Sequence, residues 1–458
     1  MDNKGIEAAL REAGDTRCLV IGAGALASVE ATFEQCFGQQ PAVVVADENT
    51  FAVAGQAVHE HLRARGRAQV EPIIFPGTPT LYADFENVLT LEAQLRAHDA
   101  IPVVAGSGTL NDITKLASHR VGRQYMCVGT AASMDGYTAF GAAITKDGFK
   151  QTMSCPAPRA VLADLDVLLQ APSQMNSTGY GDLLGKITAG ADWILADALE
   201  IEPIDARAWS LVQDSLRSWT AHPDRLHAGD PQSIEHLFEG LIMAGVAMQI
   251  SASSRPASGS EHRFSHLWEM QARGHGHAAV PHGFKVGVGT IAAAALYERV
   301  MARDLSSLDI ETLCRSWPSR DEVERTVRQT HEIPQLAENA VEESLAKYID
   351  AGQLCQRLTL LRERWPAIRE RVQAQLMTAD EVRTLLQAAG CPTHPDEIGV
   401  SMEGLKESYT LARTIRSRYT VLDLVNESGV LGAYIDELFA PGGFWARSDV
   451  SVGASIHQ

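Results

Sequence analysis

Positive charge is scarce in this chain: 39 lysines and arginines face 57 aspartates and glutamates, leaving a formal net charge of −18. Such an acidic surface excludes nucleic acid as the partner, because gripping phosphate backbones takes a basic face. It leaves small anionic substrates open, since a pocket can be locally basic. Also missing is any C-x-x-C pair: the seven cysteines, an odd number, are scattered from Cys18 to Cys391. That pattern fits free thiols in a reducing cytoplasm. No apolar run approaches the roughly 20 residues a membrane span needs, and the polar start MDNKGIEAALREAG lacks the apolar core of a signal peptide. Internal repeats and low-complexity tracts are absent as well. A soluble, cytoplasmic chain with no membrane contact is therefore expected.

What the chain does have is apolar content, 45% of 458 residues, enough for two or three domains or one enzyme of two lobes. The first part alternates two textures. The runs CLVIG, PAVVVAD, VEPIIF, AIPVVAG, YMCVG and RAVLAD are short and apolar, and helix-patterned segments separate them. Continuous Val/Ile/Leu runs bounded by glycine mark strands buried on both faces, which means a parallel sheet with crossover helices. From about residue 172 nearly everything repeats at helical spacing. Within that part, Thr420 and Asp423 resemble a capping box. The expected architecture is an α/β lobe over 1–171, an all-α lobe over 172–440 and a loose tail over 441–458. Ligands often bind where such lobes meet.

In the first lobe, Gly106, Ser107, Gly108, Thr109 and Leu110 lie between a strand and a helix. Glycines let a phosphate approach the backbone, and the amides and dipole of a helix start favour its charge. A tight turn with no ligand has the same local sequence. The earlier GAGAL turn lacks the third glycine of a dinucleotide fingerprint, so there a plain turn is favoured. Asp47 ends a strand about 25 residues beyond that first turn, where a carboxylate can accept the ribose hydroxyls of NAD. On local sequence alone a helix N-cap is the favoured role for it. GTAASMDGYTAF gathers Thr130, Ser133 and Asp135 into one turn; Asp135 can hold a substrate hydroxyl or merely close the turn.

In the helical lobe, His262 and His266 in SEHRFSHLWE lie on one helical face. Their H-x-x-x-H spacing is that of a zinc protease, but the glutamate such an enzyme needs after the first histidine is replaced by Arg263. Asp182 in GYGDLLGK and His282 in VPHGFKVGVGT add two more donors. Asp, His and His suit a borderline divalent ion such as zinc, nickel or iron. Each histidine alone reads more simply as a core or surface residue, and spacing does not exclude His275 and His277 as ligands.

GSGTLNDITK, TAASMDGY, GYGDLLGK, SRPASGSEHRFSHLWE and PHGFKVGVGT occur in this order. Together they resemble the glycerol-1-phosphate dehydrogenases, above all their bacterial branch, within the iron-containing alcohol dehydrogenase and dehydroquinate synthase superfamily. RSRYTVLDL, around Arg418, is similar to the same branch, and the resemblance spans roughly residues 15–435. It implies a dehydroquinate synthase-like architecture and a homodimer. The metal would sit on Asp182, His262 and His282. NAD or NADP would bind Asp47, the stretch Gly106–Leu110, Thr130 and Ser133. Asp135, Asp182 and His266 would contact substrate, with Asp182 and His266 catalytic. One departure is Ala139, where family members often carry a serine near the nicotinamide. Arg255 and Lys186 are candidates for the substrate phosphate, and equally for structural charges.

The implied reaction interconverts dihydroxyacetone phosphate and sn-glycerol 1-phosphate by hydride transfer. Other superfamily activities are the alternatives: a dehydrogenase for glycerol or another polyol, or a dehydroquinate synthase-like cyclase. An inactive binding homologue is a further one, disfavoured because Asp182, His262 and His282 are all present.

Overall fold

The structure, a computed structural model, describes residues 3–146, 149–274 and 280–447. Eight strands run β1 (Cys18–Gly22), β2 (Ala42–Asp47), β3 (Ile73–Phe75), β4 (Ile101–Gly106), β5 (Met126–Gly129), β6 (Ala142–Lys146), β7 (Phe149–Met153) and β8 (Ala160–Asp164). Seven helices carry the residues of interest: α1 (Gly108–Arg120), α2 (Ser173–Leu184), α3 (Lys186–Ala198), α4 (Pro231–Ser251), α5 (Ser260–Gly274), α6 (His282–Met301) and α7 (Val421–Glu427).

The chain forms two compact units. The first holds the residues up to Leu183 together with Asp205–Ala257 and Ala388–Cys391; the second holds Leu184–Ile204, Ser258–Gln387 and the residues from Pro392 onward. In the first unit six strands make one sheet in the order β1-β8-β5-β4-β2-β3, and every pairing in it is parallel. β4, near its centre, is buried along its whole length, as its uninterrupted apolar run requires. Ala42 and Val44, Ile101 and Val103, and Met126 and Val128 share one face. Phe33, Val58 and Leu62 from crossover helices cover that face. β6 and β7 form a separate antiparallel pair, which the apolar-run reading did not contain.

The strand order places a topological switch between β2 and β4. From β2 the chain moves outward to β3, and from β4 it moves the opposite way through β5 and β8. Open α/β sheets bind ligands in the crevice at the carboxyl ends of such strands.

The second unit is helical. Gly289 of α6 faces α5 so closely that a Cβ there would lie 2.5 Å from the Glu261 carbonyl oxygen. The missing side chain lets these two helices meet backbone to backbone.

Among the described residues no helix is long and apolar enough to cross a membrane. Cys314 and Cys355 are joined in a disulfide with their Cα atoms 5.8 Å apart. This corrects the expectation of free thiols throughout, which holds for Cys18, Cys36, Cys127, Cys155 and Cys391. Cysteines separated by 41 residues in sequence give no spacing signal of the C-x-x-C kind.

Candidate active site

Parallel registration brings three sequence motifs to one edge of the sheet. Val45 pairs with Val104, so Asp47 and Gly106, each two residues further on, end their strands at the same level. Gly106 in turn pairs with Gly129, and the Thr130 amide donates to the Gly106 carbonyl at 3.2 Å. Asp47, Gly106 and Thr130 thus terminate adjacent strands, and the first two flank the switch point.

The two glycine turns differ in whether their amides are occupied. In the first, the Gly24 and Leu26 amides donate to the Asp164 carboxylate at 3.1 and 2.8 Å. That turn serves structure. In the second, Ser107 stands at the N-cap of α1 and makes no side-chain cap hydrogen bond. The first-turn amides of this 13-residue helix therefore suit a phosphate. Gly106 is required there, because a Cβ would meet Leu110 Cδ1 at 2.6 Å. Leu110 is itself buried. Ser133 is buried, and Ser107, Gly108 and Thr109 are half-buried.

Asp47 is a helix cap. Its Oδ1 accepts from the Thr50 amide at 2.7 Å, and its own amide donates to Thr50 Oγ1 at 3.0 Å. Capping takes one carboxylate oxygen and keeps the side chain half-buried at the strand end.

The Asp135 loop is held from two sides. Lys115 of α1 is buried and donates from Nζ to the carbonyls of Gly136, Ala139 and Gly141 at 2.9, 2.8 and 3.0 Å. Asp182 of α2 accepts from the Asp135 amide through Oδ2 at 3.0 Å. α2 reaches this loop because position 179 is glycine; a Cβ there would lie 1.9 Å from the Ala132 carbonyl oxygen. Ala139 is buried in the same loop.

The three histidines converge. Ring centroids are 5.9 Å apart for His262 and His266, 5.4 Å for His262 and His282, and 5.9 Å for His266 and His282. His262 and His282 lie together in the second unit, and Asp182, the third ligand expected from the sequence, lies in the last turn of α2 in the first. Each of these two histidines has a carboxylate on its inner nitrogen. His262 Nδ1 lies 2.8 Å from Glu261 Oε1, and His282 Nδ1 lies 2.9 Å from Glu269 Oε1. With Nδ1 engaged, Nε2 is the nitrogen assigned to a metal, and the carboxylates raise its basicity. The donor set thus fits a divalent ion.

The supporting carboxylates are themselves anchored. Glu261 is fully buried and accepts from Thr188 Oγ1 and the Gly259 amide, each at 2.6 Å. Burial alone would raise its pKa, yet these hydrogen bonds and His262 hold it below the usual range. Asp192 of α3 accepts from the Ser260 amide at 2.6 Å, the Tyr297 hydroxyl at 2.6 Å and the Val421 amide at 2.7 Å. It ties α5, α6 and α7 together. Burial, reinforced by the Glu261 charge, pushes Asp192 up to about 6. His266 behaves oppositely: burial, aided by Arg416, drives its pKa well below the usual 6.5. Its Nδ1 is buried without a hydrogen-bond partner, so this neutral imidazole keeps a polar atom to spend.

Glu261, Glu269, Asp192 and Lys115 were not singled out from sequence. Glu269 had a signal: His262, His266 and Glu269 follow i, i+4, i+7 spacing along one helical face. Arg255 and Lys186 are fully buried. His275 and His277 lie outside the described residues.

This arrangement is that of a metal- and nucleotide-dependent enzyme. The model of the iron-containing alcohol dehydrogenase family matches residues 20–172. Among solved structures, the fold is shared with a probable glycerol dehydrogenase of Sinorhizobium meliloti, at TM-score 0.58 and 14% identity, covering 92% of this chain and 97% of that one. The glycerol dehydrogenase of Schizosaccharomyces pombe matches at TM-score 0.57 and 14% identity, covering 95% and 92%. In sequence, the glycerol-1-phosphate dehydrogenase [NAD(P)+] of Bacillus velezensis is 30% identical over 421 residues, 91% of this chain and 92% of its own. That of Halalkalibacterium halodurans is 39% identical over 270 residues, 58% and 67% of the two chains. The corresponding enzyme of Aeropyrum pernix is 34% identical over 287 residues, 61% and 78%. The chain belongs to the glycerol-1-phosphate dehydrogenase family.

Proposed function

We propose that this chain is a metal-dependent, NAD(P)-linked oxidoreductase that interconverts dihydroxyacetone phosphate and sn-glycerol 1-phosphate. In the reductive direction one hydride from NAD(P)H and one proton from solvent are added to the ketone. The observation that carries the reading is the His262 and His282 pair, with a carboxylate behind each histidine; Asp182 is the third ligand of the proposed set. When bound, a zinc, nickel or iron ion supplies Lewis acidity at substrate oxygen, and the nicotinamide supplies the hydride.

The remaining work falls to side chains. Asp182, held by the Asp135 amide, is a metal ligand and orients substrate. His266, neutral because of its burial, hydrogen-bonds a substrate hydroxyl, and Asp135 holds a second. The open amides at the start of α1 take the pyrophosphate of NAD or NADP, with Thr130 and Ser133 on the adjoining segment. Asp47 accepts the ribose hydroxyls; its charge disfavours a 2′-phosphate without excluding NADP. Asp182 also argues against the cyclase alternative, since the dehydroquinate synthases carry Glu there. We further propose a homodimer working in the cytoplasm, where triose phosphates and NAD(P) are pooled.

Elemental analysis and NADH oxidation on His282→Ala test the assignment together. Loss of metal and of turnover in a folded variant is expected; retention of both would remove His282 from the ligand set.

A further inference from the structure

The second unit contains a cavity of about 660 Å³ whose walls include none of Asp182, His262, His266 and His282. Its size is that of a small-molecule site. Apolar residues line part of it, among them Leu313, Trp317, Val323, Val327 and Ile349. The polar part is ionic: Lys347, Arg357 and Arg413 with Asp423 and Glu427.

Pairing among these charges is unequal. Asp423 accepts from Lys347 Nζ at 2.6 Å and from Arg263 at 2.9 Å. Glu427 accepts from Arg357 at 2.5 Å and from the Tyr419 hydroxyl at 2.9 Å. Arg413 has no ion pair among the described residues, and its buried Nε has no hydrogen-bond partner. Lys347 Nζ lies on the Arg413 carbonyl at 2.5 Å, so the two cations are neighbours. Arg263, Arg357 and Arg413, with Lys347 lowered by burial to about 7, face two carboxylates, and of the arginines it is Arg413 that no ion pair among the described residues engages. Burial pushes Glu427 up to about 7 and Arg413 below its usual range, so both groups are held away from bulk water. A chain of net charge −18 thus carries a locally cationic pocket.

We propose that this cavity binds an amphiphilic organic oxyanion: a small molecule whose phosphate or carboxylate head pairs with Arg413 beside Lys347, and whose apolar body lies against Trp317, Val323 and Val327. A guanidinium fork fits either head bidentately. An apolar wall without surplus charge would take a neutral ligand equally well; the unpaired guanidinium selects the anion.

Calorimetry on the full metal-loaded chain tests this with 1-naphthyl phosphate, 1-naphthoate and the neutral 1-naphthalenemethanol. One site per chain is expected, with at least one anion bound tenfold or more tightly than the alcohol; the tighter anion identifies the head group. Quenching of Trp317 fluorescence, absent in Trp317→Phe, locates the site. Arg413→Met weakens the anion at least tenfold. Val323→Phe, which fills space at the half-buried wall and keeps every charge, does the same. His282→Ala leaves the affinity unchanged. Equal binding of the neutral alcohol, no binding at millimolar concentration, indifference to both cavity variants, or loss in His282→Ala would each overturn the proposal.

Discussion

His282 at the start of α6 is aligned by Glu269 of α5, with Nδ1 and Oε1 2.9 Å apart. Lys285, one turn further along α6, shares the same oxygen at 3.1 Å. One carboxylate therefore fixes the ring and is itself paired with a lysine. Partners of this kind tune metal affinity by about 10–100-fold. Glu269→Gln and Glu261→Gln are each expected to weaken the bound ion by about that factor while leaving the helices in place. Competition with a metal-sensitive dye measures it. Unchanged affinity in both variants would reduce the carboxylates to packing.

Glycine at 179 is a geometric requirement. Gly179→Ala forces a Cβ into a space 1.9 Å from the Ala132 carbonyl oxygen, so α2 must move away from the loop that Asp182 holds. Overpacking of this kind costs about 1–3 kcal/mol. The expected result is a lower urea midpoint accompanied by loss of turnover larger than the stability change explains. A variant of full activity would show that α2 tolerates displacement.

Asp47 combines capping with a place beside Gly106, and two substitutions separate the roles. Asp47→Asn preserves an acceptor for the Thr50 amide and leaves stability nearly intact, since Asn caps as well as Asp does. It removes the charge that favours ribose hydroxyls. A raised dissociation constant for NAD(P) with an unchanged melting temperature is expected. Asp47→Ala additionally costs about 1 kcal/mol of stability through the lost cap. If Asp47→Asn binds NAD(P) as the parent does, capping is its whole role.

Glu427 gives the fold a pH signature. Burial raises its pKa to about 7 in the folded chain from a usual value of 4.5. Between these values the folded state binds more protons than the unfolded one. The contribution of Glu427 therefore falls as pH rises through that window and ends above about pH 7, where Lys347, lowered by burial to about 7, adds a slope of the opposite sign. Asp423 adds no slope there: burial would raise it, but Lys347, Arg263 and Arg413 outweigh burial and hold it at about 2. Between about pH 6 and 7 the fall in urea midpoint is expected to shrink in Glu427→Gln, while Asp192, raised to about 6, keeps its slope below pH 6 in both chains. An identical slope in parent and variant would contradict the assignment.

Much of the first unit was legible because strands buried on both faces must be continuously apolar, and CLVIG, AVVVAD and IPVVAG are. Their order in the sheet was not, and so the alignment of Asp47 with Gly106 was hidden: register is a property of pairs. The β6–β7 pair escaped because its strands are short, although an Asp-Gly dipeptide separates them in sequence. Helical periodicity marked the second half well but does not say which helices pack together. Asp205–Ala257 clusters with the sheet although its pattern is purely helical. At the site, residue type offered Asp182, His262, His266 and His282 as donors and the family resemblance selected the ligand set from them, whereas Glu261, Glu269 and Asp192 act through contacts between helices. Gly179 and Gly289 matter for what is absent from them, which only neighbouring atoms reveal.

The most direct test is NADH oxidation by the metal-reconstituted protein with dihydroxyacetone phosphate, beside dihydroxyacetone. Turnover confined to the phosphorylated ketone, yielding sn-glycerol 1-phosphate, is the predicted result. Turnover with dihydroxyacetone alone, or with neither ketone in protein that holds metal and NAD, would contradict the account.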